Sequence, residues 1–149
     1  MVSLDGGRFR KQTMEERNMR FLEYLFYKYY NFQLRVGNEN NAPMMSILFI
    51  SFVLSFYYLS IDSYYRYFIS RTSYGHLYGE YTIIIVFGLS FLLFYFLFLH
   101  KKKYKKIMKA HEAEWKGKKN LGAILFAVLP FIIFFVETYI KMKMNQGAI

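Results

Sequence analysis

The side chains able to do chemistry are few in this chain and poorly spaced for it. There are three histidines, His76, His100 and His111, and no cysteine. Without a thiol there is no disulfide, thiolate metal site or Cys nucleophile. The run His111-Glu-Ala-Glu114 opens like a zinc-protease helix. That motif needs a second imidazole four residues later, on the same helix face, and Trp115 stands there. Glu137 is the one carboxylate that can dip into a bilayer, where an ionisable group can serve a proton relay. Beside Lys141 it reads instead as an interfacial side chain whose charge snorkels to water. Gly75 and Gly79 have the spacing of a helix-pairing motif but read as turn punctuation. No phosphate-binding glycine loop, Ser-x-x-Lys or Gly-x-Ser-x-Gly is present. The sequence therefore assigns no catalytic residue, cofactor or metal ligand, and the expected protein is not an enzyme.

The distribution of charge says more. Three stretches lack Asp, Glu, Lys and Arg: Asn40–Ile61, Tyr81–Leu99 and Asn120–Val136. A helix needs roughly 17–25 mostly apolar residues to cross a bilayer. The expected architecture is all-α, with three transmembrane helices at about 43–61, 81–99 and 121–140. Residues 1–42 form an N-terminal arm, residues 43–149 the three-span unit, and residues 100–120 a basic loop. No segment outside the spans is long enough for a soluble core. With its first apolar run lying behind a charged arm, the first span is expected to direct insertion itself.

The formal net charge is +10, which in a soluble protein would point to nucleic acid. Here the arm and the second loop hold 16 of the 20 Lys and Arg (seven and nine), and in a three-span chain they share one side. Basic loops stay cytoplasmic, so the N-terminus is expected inside and the C-terminus outside, with no nucleic-acid partner. Lys101, Lys102, Lys103, Lys105, Lys106 and Lys109 form the densest cluster. Each suits an anionic lipid headgroup, at about 1 kcal/mol per basic residue near the surface; the same cluster also serves as a topology signal.

Helical periodicity extends beyond the spans. At 100° per residue Phe21, Leu22, Leu25, Phe26, Tyr29, Phe32 and Val36 fall within an arc of about 140°. Arg17, Arg20, Tyr24, Tyr27, Lys28, Asn31 and Arg35 fall opposite. An aromatic face backed by a basic one predicts an interfacial helix in the membrane plane, preceded by a disordered tail over Met1–Gln12. The Gly37–Asn41 segment ends it, and Pro43 opens the first span at a position where its missing N–H costs nothing. In the basic loop Tyr104, Ile107, Met108, His111 and Trp115 share an arc of about 100°. That predicts a second amphipathic helix, either continuing the second span or bending from it. Ser70–Gly79 reads as the outer turn. Pro130, near the middle of the third span, removes a helix hydrogen bond, frees the carbonyl of Phe126 and predicts a kink.

Helices associate in lipid by close packing, which small residues permit. Ser51 with Ser55, and Ala123 with Ala127, have the required spacing and are the candidate helix-packing residues.

Two stretches carry a resemblance: Phe21-Leu-Glu-Tyr-Leu-Phe-Tyr-Lys-Tyr-Tyr30 leading to the span begun by Pro43, and His100-Lys-Lys-Lys-Tyr-Lys-Lys-Ile-Met108 leading to Gly122-Ala-Ile-Leu125. In these the chain resembles small, aromatic-rich bacterial membrane proteins without an assigned activity. The resemblance implies a bacterial inner membrane and carries over no functional residue. The expected function is an interaction or accessory subunit with a protein partner or with itself. The alternative is a small membrane effector, either a pore-forming oligomer or an immunity protein; a transporter component ranks lower.

Overall fold

The computed structural model describes residues 14–70 and 81–147. The expected N-terminal tail, the outer turn with His76 and the Gly75–Gly79 pair lie outside the described residues. Those described form five α-helices and no strand. They are α1 (Met14–Arg35), α2 (Ala42–Tyr64), α3 (Thr82–Phe94), α4 (Lys103–Trp115) and α5 (Leu121–Asn145). Single π-type turns extend α2 through Ser70 and α3 through Leu99. Three helices are long and apolar enough to cross a membrane: the one built on α2, the one containing α3, and α5.

Each boundary has a local cause. Gly37 takes a left-handed conformation, φ 84°, which costs glycine no Cβ clash. The N–H of Asn38 then reaches the carbonyl of Gln33 at 3.0 Å, and that of Gly37 the carbonyl of Leu34 at 3.2 Å, a paired closure of the last helical turn. Pro43 sits in the first turn of α2. Between α3 and α4 the chain bends, and the alternative of one continuous helix does not hold. Lys101 and Lys102 both have φ 54°, a conformation that costs a non-glycine residue roughly 1–2 kcal/mol.

Helix α2 is the hub, packing against α1, α3 and α5. The aromatic-rich core lies at one end of the bundle. There α1 closes over α2, the last turns of α3 and the start of α5. Leu25, Phe26, Tyr29, Ile47, Ile50, Phe94, Phe98 and Ala123 are buried together. Phe26 stacks on Phe98 at 4.7 Å, and Phe98 on Phe94 at 6.0 Å. This end also carries α4 and its lysines and is called the basic end below. Further down, Phe56 meets Phe131 at 4.3 Å, holding α2 to α5.

Helix α5 runs unbroken through Pro130. The Phe126 carbonyl that Pro130 leaves without a helical donor accepts the Tyr57 hydroxyl of α2 at 3.0 Å. The carbonyl of Pro130 itself accepts Ser60 at 3.0 Å. A backbone group inside a bilayer must find a protein partner, and here the proline ties two spans together.

Candidate membrane-surface site

Helix α1 departs from the two-faced pattern of its sequence. Leu25, Phe26 and Tyr29, from the expected apolar face, are buried, but Phe21, Phe32 and Val36 are exposed. On the expected polar face Tyr27 and Lys28 are buried. The correction has a simple cause: α4 and the turn into α5 cover that side, and a helical wheel of α1 alone cannot show a covering helix.

The contact between α1 and this turn is built on main-chain carbonyls. Lys28 Nζ donates to the carbonyls of Trp115, at 2.8 Å, and Lys118, at 2.6 Å. Trp115 ends α4, so the ammonium sits where the helix dipole is negative and the last carbonyls lack partners. The Tyr24 hydroxyl donates to the carbonyl of Lys119 at 2.9 Å, and the Tyr29 hydroxyl to that of Ala123 at 2.7 Å. Four carbonyls, on α4, on the turn and on α5, are thus gripped by one helix, which forms a clasp. Burial of the Lys28 ammonium lowers its pKa from the ordinary 10.5, and the charges of Arg35 and Lys118 lower it further. Burial raises the pKa of Tyr29, with Tyr57 and Tyr24 adding to the shift.

Trp115 is buried between Tyr24 and Tyr27, whose rings meet it edge-on at 5.9 and 5.6 Å. His111 stacks on it at 3.9 Å. The His111 Nε2 lies 3.1 Å from a Glu23 carboxylate oxygen. Arg20 pairs with Glu114, and Lys118 reaches the same carboxylate at 3.2 Å. Tyr104, from the same face of α4, lies against Phe26 and Tyr30. Helix α4 thus rests its aromatic face on α1. Lys101, Lys102, Lys103, Lys105, Lys106 and Lys109 are all exposed.

The four small residues singled out in the sequence stand at contacts within the chain. Ser51, Ser55 and Ala123 are buried, and Ala127 is half-buried against the core. Ser55 donates to the Ser51 carbonyl at 2.9 Å. The pairs are brought onto facing helices, α2 and α5, in one packed bundle.

The far end holds one polar pair that sequence reasoning did not flag and one carboxylate placed differently from its expectation. Asp62, taken as lying beyond the first span, is fully buried in the last turn of α2 and pairs with Arg66 at 2.9 Å. The signal was present, since the two are four residues apart on a helix. Glu137 is a correction. It is only 7% exposed instead of snorkelling, and its Oε2 has no hydrogen-bond partner among the described residues. Lys141 does not pair with it; its ammonium lies over the Tyr67 ring at 5.6 Å. His100 is exposed beside Phe96. Among the described residues no group of three or more His, Asp or Glu is placed to hold a metal ion.

Fold and site together define a class, a small helical integral membrane protein whose terminal helix clasps a basic loop. Comparison with protein-family models, curated proteins and solved structures gives no match to the chain.

Proposed function

We propose that this is an accessory or interaction subunit of a bacterial inner membrane, with the N-terminus and basic end in the cytoplasm and the C-terminus outside. It acts by packing against another membrane chain, or a second copy of itself, and by resting its basic end on anionic lipid; it catalyses no reaction. The observation that carries this is the uneven cover of the spans. In the most apolar window of each, 39% of the residues are buried for the α2 span but only 11% for the α3 span. Ile84, Ile85, Leu89, Leu92 and Leu93 of α3 are all exposed, so this helix is where another chain has most room to sit.

Photo-crosslinkers at Leu89 and Leu92, read in the intact membrane, test the partner. A discrete protein adduct from α3 and none from Ser51 of α2 is the expected result; only lipid adducts from both would defeat the proposal. Orientation is tested with single cysteines at Ser3, Ser73, Lys118 and Ala148, in a chain that has none of its own. An impermeant thiol reagent should label positions 73 and 148 in intact spheroplasts, and labelling of 118 but not 73 would reverse the topology.

One observation favours a second reading. Glu137, buried without a hydrogen-bond partner among the described residues, suits ion or proton movement, as in a transporter component or a pore-forming effector. Conductance or proton flux in lipid bilayers that is lost in Glu137→Gln would select it. A silent bilayer leaves the accessory reading standing.

A further inference from the structure

Two cavities of about 290 Å³ each meet beside the clasp and differ sharply in chemistry. The first is polar and lies between the C-terminal half of α1 and the α4–α5 turn. Lys28, Arg35, Lys116, Lys118 and Lys119 line it, against a single carboxylate, Glu112. The second is apolar and runs down between α1, α2 and α5, along Tyr29, Phe49, Ala123, Ile124, Ala127 and Val128. Lys28, Phe32 and Asn120 belong to both walls, so the two adjoin as a cleft with a basic part and an apolar part.

The cleft lies at the depth of a lipid. Its apolar part follows α5 from Asn120 to Val128, on the order of 12 Å at 1.5 Å per residue, from the surface into the first turns of a span. We propose that it holds one anionic phospholipid, with the phosphate among Arg35, Lys116 and Lys119 and the upper part of an acyl chain along Ala123 and Ala127. Basic pockets between helices at the cytoplasmic face are suited to such headgroups.

Three features support the assignment. Arg35, Lys116 and Lys119 are exposed and have no side-chain hydrogen bond or ion pair among the described residues. The carbonyls of Trp115, Lys118 and Lys119 are held by Lys28 and Tyr24 and Lys118 is paired with Glu114, which leaves Lys116 and Lys119 as the turn's unmatched positive groups. Asn120, the N-cap of α5, makes no side-chain cap. Asn120 lines both cavities, so the positive end of the α5 dipole lies beside the cleft and favours an anion. Burial lowers the pKa of Lys28 first, and the nearby charges of Arg35 and Lys118 lower it further, a repulsion that a phosphate would relieve. Ala127 acquires a role of its own here, because a larger side chain would fill the groove.

This site is separate from the Lys101–Lys109 cluster and depends on no protein partner. It requires only that the chain lie in a membrane, so its failure and that of the accessory reading are distinguishable. The test uses the full chain in neutral detergent, with bound lipid counted by native mass spectrometry. Phosphatidylglycerol is titrated against phosphatidylcholine, and glycerol phosphate is the headgroup without chains. The expected result is one phosphatidylglycerol per chain, held at least about tenfold better than phosphatidylcholine, with glycerol phosphate failing to displace it. The triple variant Arg35→Gln, Lys116→Gln, Lys119→Gln should lose that preference. Ala127→Leu should weaken retention of both lipids, and Val128→Phe gives a second block if Ala127→Leu misfolds. Glutamine at Lys103, Lys105, Lys106 and Lys109 should leave the bound lipid in place. Equal retention of the two lipids, displacement by glycerol phosphate, or loss only in the 103–109 variant would overturn the proposal.

Discussion

Helices α2 and α3 are charge-free over 42–61 and 82–94, yet they are covered to very different extents. Along α2 Ser46, Ser51, Ser55 and Ser60 face protein beside Ile47, Ile50 and Val53, while Phe49 and Phe52 are exposed. Along α3 Ile84, Leu89, Leu92 and Leu93 are exposed, and Phe94 is the one buried residue of Thr82–Phe94. In lipid an apolar side chain gains little by leaving acyl chains for protein, whereas a small residue lets backbones approach and a hydroxyl finds a carbonyl. Helix α2 has the serines and becomes the hub; α3 is bulkier along its length and stays at the edge.

The comparison breaks first at Ser51, which is fully buried. Ser51→Leu raises hydrophobicity yet should destabilise the chain by about 3 kcal/mol through overpacking, measured by unfolding in mixed micelles; an unchanged midpoint would mean that α2 is not packed by its small residues. Next is the clasp, which extends the use of carbonyls outside the spans. Lys28→Met removes the ammonium from the Trp115 and Lys118 carbonyls, leaving the Trp115 carbonyl only the Lys118 N–H, and should cost about 2 kcal/mol, seen as earlier release of α1 in hydrogen exchange. Tyr57→Phe removes the hydroxyl on the Phe126 carbonyl and should cost about 1 kcal/mol in the same micelle assay. Leu89→Ala, on the open side of α3, should shift stability by under about 0.5 kcal/mol; a larger loss would show that α3 is packed within the chain.

The spans were legible because a missing charge over a bilayer's thickness has one cheap explanation, and the face of α4 was legible because Tyr104, His111 and Trp115 repeat at helical spacing. The freed Phe126 carbonyl follows from the covalent structure of proline, though nothing in sequence names Tyr57 as its donor. Other features were hidden for physical reasons. The polar side of α1 looked wet because a wheel sees one helix at a time, and Lys28 was counted as a surface charge when its partners are main-chain carbonyls some 90 residues away. The bend at Lys101–Lys102 uses residues that disfavour left-handed backbone, so no glycine signalled it. The cleft exists only where α1, α2, α5 and the turn meet, and although Ala123 and Ala127 stood out for packing, nothing in sequence joined them to Arg35, Lys116 and Lys119.

The chain has one tryptophan, and the fold places it inside the clasp. Tyr24 and Tyr27 meet its ring, His111 stacks on it, and Lys28 holds its carbonyl. Intrinsic emission therefore comes from one address in the molecule, with tyrosines close enough to feed it by energy transfer. Circular dichroism, by contrast, averages over every helix. Followed together on heating, the two signals separate the release of α1 from the melting of the spans without a label, and the gap between their midpoints measures how far the basic end opens on its own.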